Sequence, residues 1–156
     1  MAGRLAKEIK QSKPWRLTEE EAFLNIARTY GHLELRMAEL LKPSALSHVQ
    51  YNVLRILRGA YPDGVACGQI ADRMVTRDPD VTRLLDRMES RGLIERERSK
   101  EDRRVVVTKI TPEGLDLVNS LDRPLETRLK ELFSGFSERE LQSLIGLLEK
   151  ARESET

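Results

Sequence analysis

"SKEDRRVVV", residues Ser99–Val107, is the stretch that decides the fold. Three cations and two acids crowd a polar run that ends abruptly in three valines. Consecutive β-branched residues belong to a strand, and the polar run ahead of them to a turn. Leu93–Arg98 forms a second extended run before the turn and Val105–Thr111 the run after it, so Ser99–Arg104 reads as the tip of a β-hairpin. That places two adjacent arginines, Arg103 and Arg104, at the tip. Ion pairs on exposed tips stabilise a fold little, so a charged finger aimed at a polyanion explains the pattern better than stability does.

Helical patterns flank the hairpin on both sides. Residues 1–17 are basic and poorly periodic and are expected to be a mobile arm. Thr18 with Glu21 spells a T-x-x-E capping box, and Phe23, Ile26, Ala27, Tyr30, Leu33, Met37, Leu40 and Leu41 then recur at three- and four-residue steps up to Pro43. Ser47 with Gln50 opens a second helix, with Val49, Val53, Ile56 and Leu57 inward, which Gly59, Pro62 and Gly64 end. A short third helix carries Ile70, Ala71 and Met74. Asp78-Pro79 predicts the cap and first turn of a fourth, with Val81, Leu84, Leu85 and Met88 on one side and Gly92 as its stop. After the hairpin, Thr111-Pro112-Glu113 starts a helix with a leucine-rich seam from Leu115 to Leu132, which Pro124 should kink or interrupt. Ser137 with Glu140 caps the last helix, lined by Leu141, Leu144, Ile145 and Leu148. The order helix, helix, helix, helix, hairpin, helix, helix predicts a mainly α (α+β) fold: a winged helix-turn-helix with a helical dimerisation region. The terminal helices carry more apolar residues than an isolated hairpin-and-helix unit could cover, and the surplus predicts dimerisation. The expected organisation is one intertwined domain: the arm at 1–17, dimerisation helices at 18–45 and 111–153, and the winged helix-turn-helix at 46–110.

Bulk properties agree with a nucleic-acid partner. The chain has 156 residues and a net charge of +1, with 34% charged and 4% aromatic residues, so a core without metal or disulfide is within reach. The neutrality hides an asymmetry. Residues 73–109 hold eleven Lys/Arg against eight acids, whereas residues 110–156 hold six against ten. No long apolar run and no apolar N-terminal segment occur, which predicts neither a membrane span nor a signal peptide. One cysteine, Cys67, suits a reducing cytoplasm and reads as structural, and with His32 and His48 as the other soft ligands no metal site is expected. No phosphate-binding loop, nucleophile elbow or H-E-x-x-H is present, so the protein is not read as an enzyme.

In a helix-turn-helix the second helix lies in the major groove with its N-terminal residues at base edges. The candidate DNA-binding residues are therefore Thr76, Arg77, Asp80, Thr82, Arg83 and Arg87. Arg83 and Arg87 can pair with guanine O6 and N7 or take phosphates on either side of the groove. Asp80 can accept from cytosine N4 or orient Arg77. A two-stranded wing reaches an adjacent minor groove, where narrow A·T-rich segments attract arginine. Arg104 suits that role, Asp102 is expected to hold its side chain extended, and Arg103 would take a phosphate.

The run "VTRLLDRMESRGLIERERSKEDRRVVVTKITPEG", residues 81–114, resembles the signature of the MarR family of winged-helix transcriptional regulators. The family's "DR-L-E—RGL" is matched by Asp86, Arg87, Met88, Glu89, Arg91, Gly92 and Leu93. Its wing D-x-R falls on Asp102 and Arg104, and its "V-L-T–G" on Ile110, Thr111 and Gly114. The resemblance implies a homodimer joined through its first and last two helices, a pseudo-palindromic operator in double-stranded DNA, and Arg104 in the minor groove. It implies a ligand-responsive repressor, with a small aromatic or phenolic effector between the dimerisation helices and the winged unit. The candidate pocket residues here are Tyr30, His32, Arg36, Met37 and Tyr51, and no other cofactor is expected. Asp78-Pro79-Asp80 stands where many relatives have small hydroxyl residues. The competing reading is a winged-helix protein-interaction module that does not bind DNA.

Overall fold

The computed structural model describes residues 3–76, 80–99 and 101–153. They form a mainly helical chain with a small antiparallel sheet. Helix α1 is Arg4–Glu8, α2 Thr18–Leu41, α3 His48–Gly59, α4 Cys67–Arg73, α5 Val81–Ser90, α6 Pro112–Ser120, α7 Asp122–Leu132 and α8 Glu138–Glu153. Strands β1 (Val65–Ala66), β2 (Ile94–Arg98) and β3 (Val106–Ile110) lie in the order β1-β3-β2. The chain divides into two compact units, Met1–Leu115 and Asp116–Thr156.

Within the first unit α3 packs against α2, α4 and β3, and α5 against β2. The centre is Leu41, Val53, Leu54, Leu57, Ile70, Leu85, Met88 and Ile94, all essentially inaccessible. Fully burying each such side chain contributes roughly 1.5–3 kcal/mol. The apolar stripe expected for α5 fills the core through Leu84, Leu85 and Met88; on α3 Val53 and Leu57 do so as expected, joined by Leu54 and Tyr51, while Val49 and Ile56 are half-buried. Ser47 makes its capping box: its hydroxyl accepts the Gln50 N–H (3.2 Å), and the Gln50 side chain accepts the Ser47 N–H (3.0 Å).

Four expectations need correction. A helix, α1, stands inside the stretch expected to be an arm, and Leu5 and Ala6 are buried. Thr18 does not cap α2; it is the helix's first residue, Leu17 holds the cap position, and no side chain serves as cap. Glu19, Glu20 and Glu21 instead place negative charge at the positive end of the helix dipole. The hairpin is part of a three-stranded sheet, because β1 pairs with β3 (Val65 opposite Thr108, Ala66 opposite Val107). Two residues are too few to show a strand's alternation in sequence. Finally, the fourth helix begins at Val81 with Asp80 as its cap; Asp78 and Pro79, expected in that role, lie outside the described residues.

In the second unit Pro124 does interrupt the leucine-rich seam: α6 ends at Ser120 and α7 restarts at Asp122. Pro124 is the third residue of α7, where an N–H would have no intrahelical acceptor. Ser137 and Glu140 form the last capping box, with the carboxylate accepting the Ser137 N–H (2.8 Å). Val118, Leu121 and Leu125 are buried, whereas α8 buries none of its residues.

Candidate nucleic-acid interface

Helix α5 presents one polar face. The Asp80 carboxylate accepts the Arg83 N–H (3.1 Å), satisfying an otherwise unpaired donor of the first turn, and its other oxygen lies 3.1 Å from Arg83 Nε. Thr82, Arg83, Asp86 and Arg87 are exposed, while Leu84, Leu85 and Met88 turn inward. The Arg83 side chain keeps 81% of its accessible surface. Arg87 Nε donates to the Arg83 carbonyl (3.2 Å), which lays that side chain along the helix. Thr76 is half-buried in the bend before the helix; Arg77 lies outside the described residues. The bend is fixed from below, because Asn52, a buried polar residue of α3, accepts the Val75 N–H (2.9 Å). Asp80 therefore caps the helix and pairs with Arg83.

The wing tip is organised by its own backbone. Ser99 N–H donates to the Val105 carbonyl and Val105 N–H to the Asp102 carbonyl, both at 2.9 Å. The Ser99 hydroxyl accepts the N–H groups of Glu101 and Asp102 (3.2 and 3.4 Å). Asp102 was expected to hold the Arg104 side chain; its carboxylate accepts the Arg104 backbone N–H instead (2.9 Å). An aspartate two residues upstream reaches the main chain more easily than the far end of a long side chain, giving an Asx turn. Arg103 and Arg104 are exposed, and among the described residues neither guanidinium has an acidic partner.

Three joints tie helix to wing. Gly92, with φ of 71°, turns the chain out of α5, and the paired bonds Gly92 N–H to Glu89 O (2.8 Å) and Leu93 N–H to Met88 O (3.1 Å) complete a Schellman motif. The Thr111 hydroxyl donates to the Gly92 carbonyl (2.6 Å) and accepts the Gly114 N–H (3.1 Å). Arg96, on β2, is gripped by Asp86 and Glu89 of α5. Arg91 joins α5 to the turn after α2, donating to the carbonyls of Ala45 (2.7 Å) and Ser44 (3.2 Å).

A profile of the MarR family matches residues 46–106, the span from the start of α3 to the start of β3. The solved structure of a MarR transcription factor from Planctomyces limnophilus is 40% identical, covers 88% of this chain and 98% of that one, and superposes with a TM-score of 0.67. The chain belongs to the MarR family. Its curated relatives include the HTH-type transcriptional regulator MhqR of Bacillus subtilis, 26% identical over 130 residues, spanning 82% of this chain and 87% of MhqR. In fold it also resembles a MarR variant from E. coli solved with operator DNA, at 22% identity and a TM-score of 0.77 over 88% of this chain and 99% of that one. MarR proteins are DNA-binding transcriptional regulators, not enzymes.

The MarR signature acquires physical content here. Asp86, Glu89, Arg91, Gly92, Thr111 and Gly114 are joints of the scaffold, not direct candidates for DNA. Arg96 was missed: its partners are seven and ten residues away, on another element, and only the pair Asp86 and Glu89 on one helix face hinted at a shared cation. The expected effector residues stand on two helices, Tyr30, His32, Arg36 and Met37 on α2 and Tyr51 on α3. Tyr51 is buried in α3. Tyr30 is exposed overall, yet partial desolvation of its hydroxyl, followed by the nearby Glu34 carboxylate, pushes its phenol up. Arg36 pairs with Glu39 (3.2 Å), Met37 is half-buried, and His32 lines a concavity of about 690 Å3 with Arg4, Glu8 and Leu35. Cys67 Sγ lies 3.2 Å from the hydroxyl of fully buried Thr108, so it packs the junction of α4 and β3. Among the described residues no helix is long and apolar enough to cross a membrane.

Proposed function

We propose that this chain is a repressor that acts in the cytoplasm as a homodimer on a pseudo-palindromic operator. Residues 18–45 and 111–153 form the dimerisation region, and 46–110 the reading head. Thr76, Arg77, Thr82, Arg83 and Arg87 meet the major groove, Arg104 enters the minor groove and Arg103 takes a phosphate. One observation carries the reading: hydrogen bonds fix the wing tip's main chain while its two guanidiniums stay exposed and, among the described residues, without acidic partners. A main chain held behind two exposed cations suits a phosphate surface. Homodimerisation is supported by the uncovered apolar stripe of α2, where Phe23, Ile26 and Tyr30 are exposed. A small aromatic or phenolic effector beside α2 is supported by the resemblance and by Tyr30, His32, Arg36 and Met37 on that helix, with Tyr51 on α3.

Arg104→Ala should weaken operator binding on the order of tenfold and leave circular dichroism and dimer mass unchanged. Gel-shift titration against an operator selected from the chain's own upstream DNA reads the first quantity. Unchanged affinity removes the wing from the mechanism. Wild-type affinity should also fall steeply with salt, with a slope near −0.9 per neutralised phosphate. No duplex binding at modest salt would favour the protein-interaction module instead.

A further inference from the structure

The recognition helix and the wing are separate elements, and a duplex can engage both only if the angle between them is held. Asp86 and Glu89 lie one turn apart on the polar face of α5, and Arg96 sits in the middle of β2. Arg96 Nη2 lies 2.6 Å from Asp86 Oδ1 and 2.6 Å from Glu89 Oε2, and its Nε donates to that same Glu89 oxygen (3.0 Å). The other Glu89 oxygen accepts the Arg96 backbone N–H (3.0 Å). One carboxylate thus holds both the main chain and the side chain of the strand residue. The Arg96 side chain retains 22% of its surface, against 54% for Asp86. A rigid guanidinium fork shared by two carboxylates fixes direction as well as distance. From Arg96 the strand runs two residues to Arg98, whose Nη1 reaches the Arg103 carbonyl at the tip (3.4 Å).

We propose that Arg96 is a positioning residue for DNA binding: clamped by Asp86 and Glu89, it sets the wing at the angle at which Arg104 meets the duplex together with α5. The role rests on the reading under Proposed function. Arg96 itself touches no DNA. The base of the wing has other supports, since β1 pairs with β3 and Thr111 bonds Gly92. Loss of the clamp therefore slackens the wing without unfolding it.

The test uses the full chain and the duplex enriched from a random-sequence DNA pool on the wild-type protein. Arg96→Met, Arg104→Ala and the double variant are titrated across a salt series. Arg96→Met should lower affinity roughly tenfold and lower the salt slope by about one phosphate, matching Arg104→Ala. In the double variant the two effects should overlap and not multiply, because Arg104 contributes only when the wing is held. Arg96→Lys, which keeps the charge and loses the fork, should rescue only part of the loss. Glu89→Gln keeps an acceptor for the Arg96 N–H and supplies a second test should Arg96→Met melt early; its effect should overlap with Arg104→Ala as well. Effects that multiply in either background, or an Arg96→Met affinity equal to wild type, overturn the role alone. A wild type that enriches no duplex overturns the DNA reading and this role with it.

Discussion

The Glu89 carboxyl is held below its ordinary range, chiefly by the hydrogen bond from Arg96. Such a group contributes stability that is complete above its unfolded value of about 4.3 and is lost as pH falls through the lower folded value. Wild type should therefore exceed Glu89→Gln in stability at neutral pH, and the two should converge in acid. Urea midpoints measured at a series of pH values check this, and a gap that persisted in strong acid would remove the charge from the account. Gly114 tests packing at the same scale. A Cβ there would meet the Leu93 carbonyl oxygen and the Ile110 side chain. Both belong to the closely packed base of the wing, so Gly114→Ala should cost about 1–3 kcal/mol, read from the denaturation midpoint. The signature glycine is thus explained by space.

Capping separates the helix starts that the sequence described correctly from the two, α2 and α5, that it did not. Ser47→Ala removes a hydroxyl that accepts the Gln50 N–H and should cost about 0.5–2 kcal/mol. Thr18→Ala removes a side chain that caps nothing and should stay within about 0.5 kcal/mol of wild type. Equal costs from the two, in thermal melts, would contradict the assignment of caps. The T-x-x-E and S-x-x-Q patterns look alike in sequence. What distinguishes them is where the chain enters the helix, and Leu17, extended at φ −136° and ψ 143°, enters one residue ahead of Thr18. The same limit displaced the cap of α5 to Asp80, two residues after the aspartate that its following proline had favoured. By contrast, Gly92 and Pro124 were legible. A residue suited to left-handed φ and one that lacks an N–H constrain the backbone without help from neighbours.

For the whole molecule, the uncovered apolar surface is the central fact. Phe23 is 70% exposed on α2 and Ile145 47% exposed on α8, each on the face whose periodicity is that of a buried one. Phe23→Glu should shift the chain from dimer to monomer in sedimentation, because a carboxylate in an apolar contact must lose its hydration. Operator affinity should fall with it, since two half-sites are then no longer bound by one particle. A dimer that survives the substitution would place the subunit contact elsewhere. The charge asymmetry acts at this scale as well. The basic excess lies across α5 and the wing and the acidic excess beyond residue 110, so the winged segment taken by itself carries the charge that attracts a polyanion.

The sequence by itself determined the order of the helices from α2 onward, the hairpin, the core face of α5, the break at Pro124 and the arginines of the wing. All of these follow from periodicity or from a residue's own backbone preference, which act over a few neighbours. Tertiary structure alone decided that β1 joins the sheet, that Asp102 holds main chain and not side chain, and that α1 buries Leu5 and Ala6. It alone brought Arg96 to Asp86 and Glu89, and Arg91 to Ala45. Those contacts join residues on different elements, and which partner a side chain meets depends on how the elements pack.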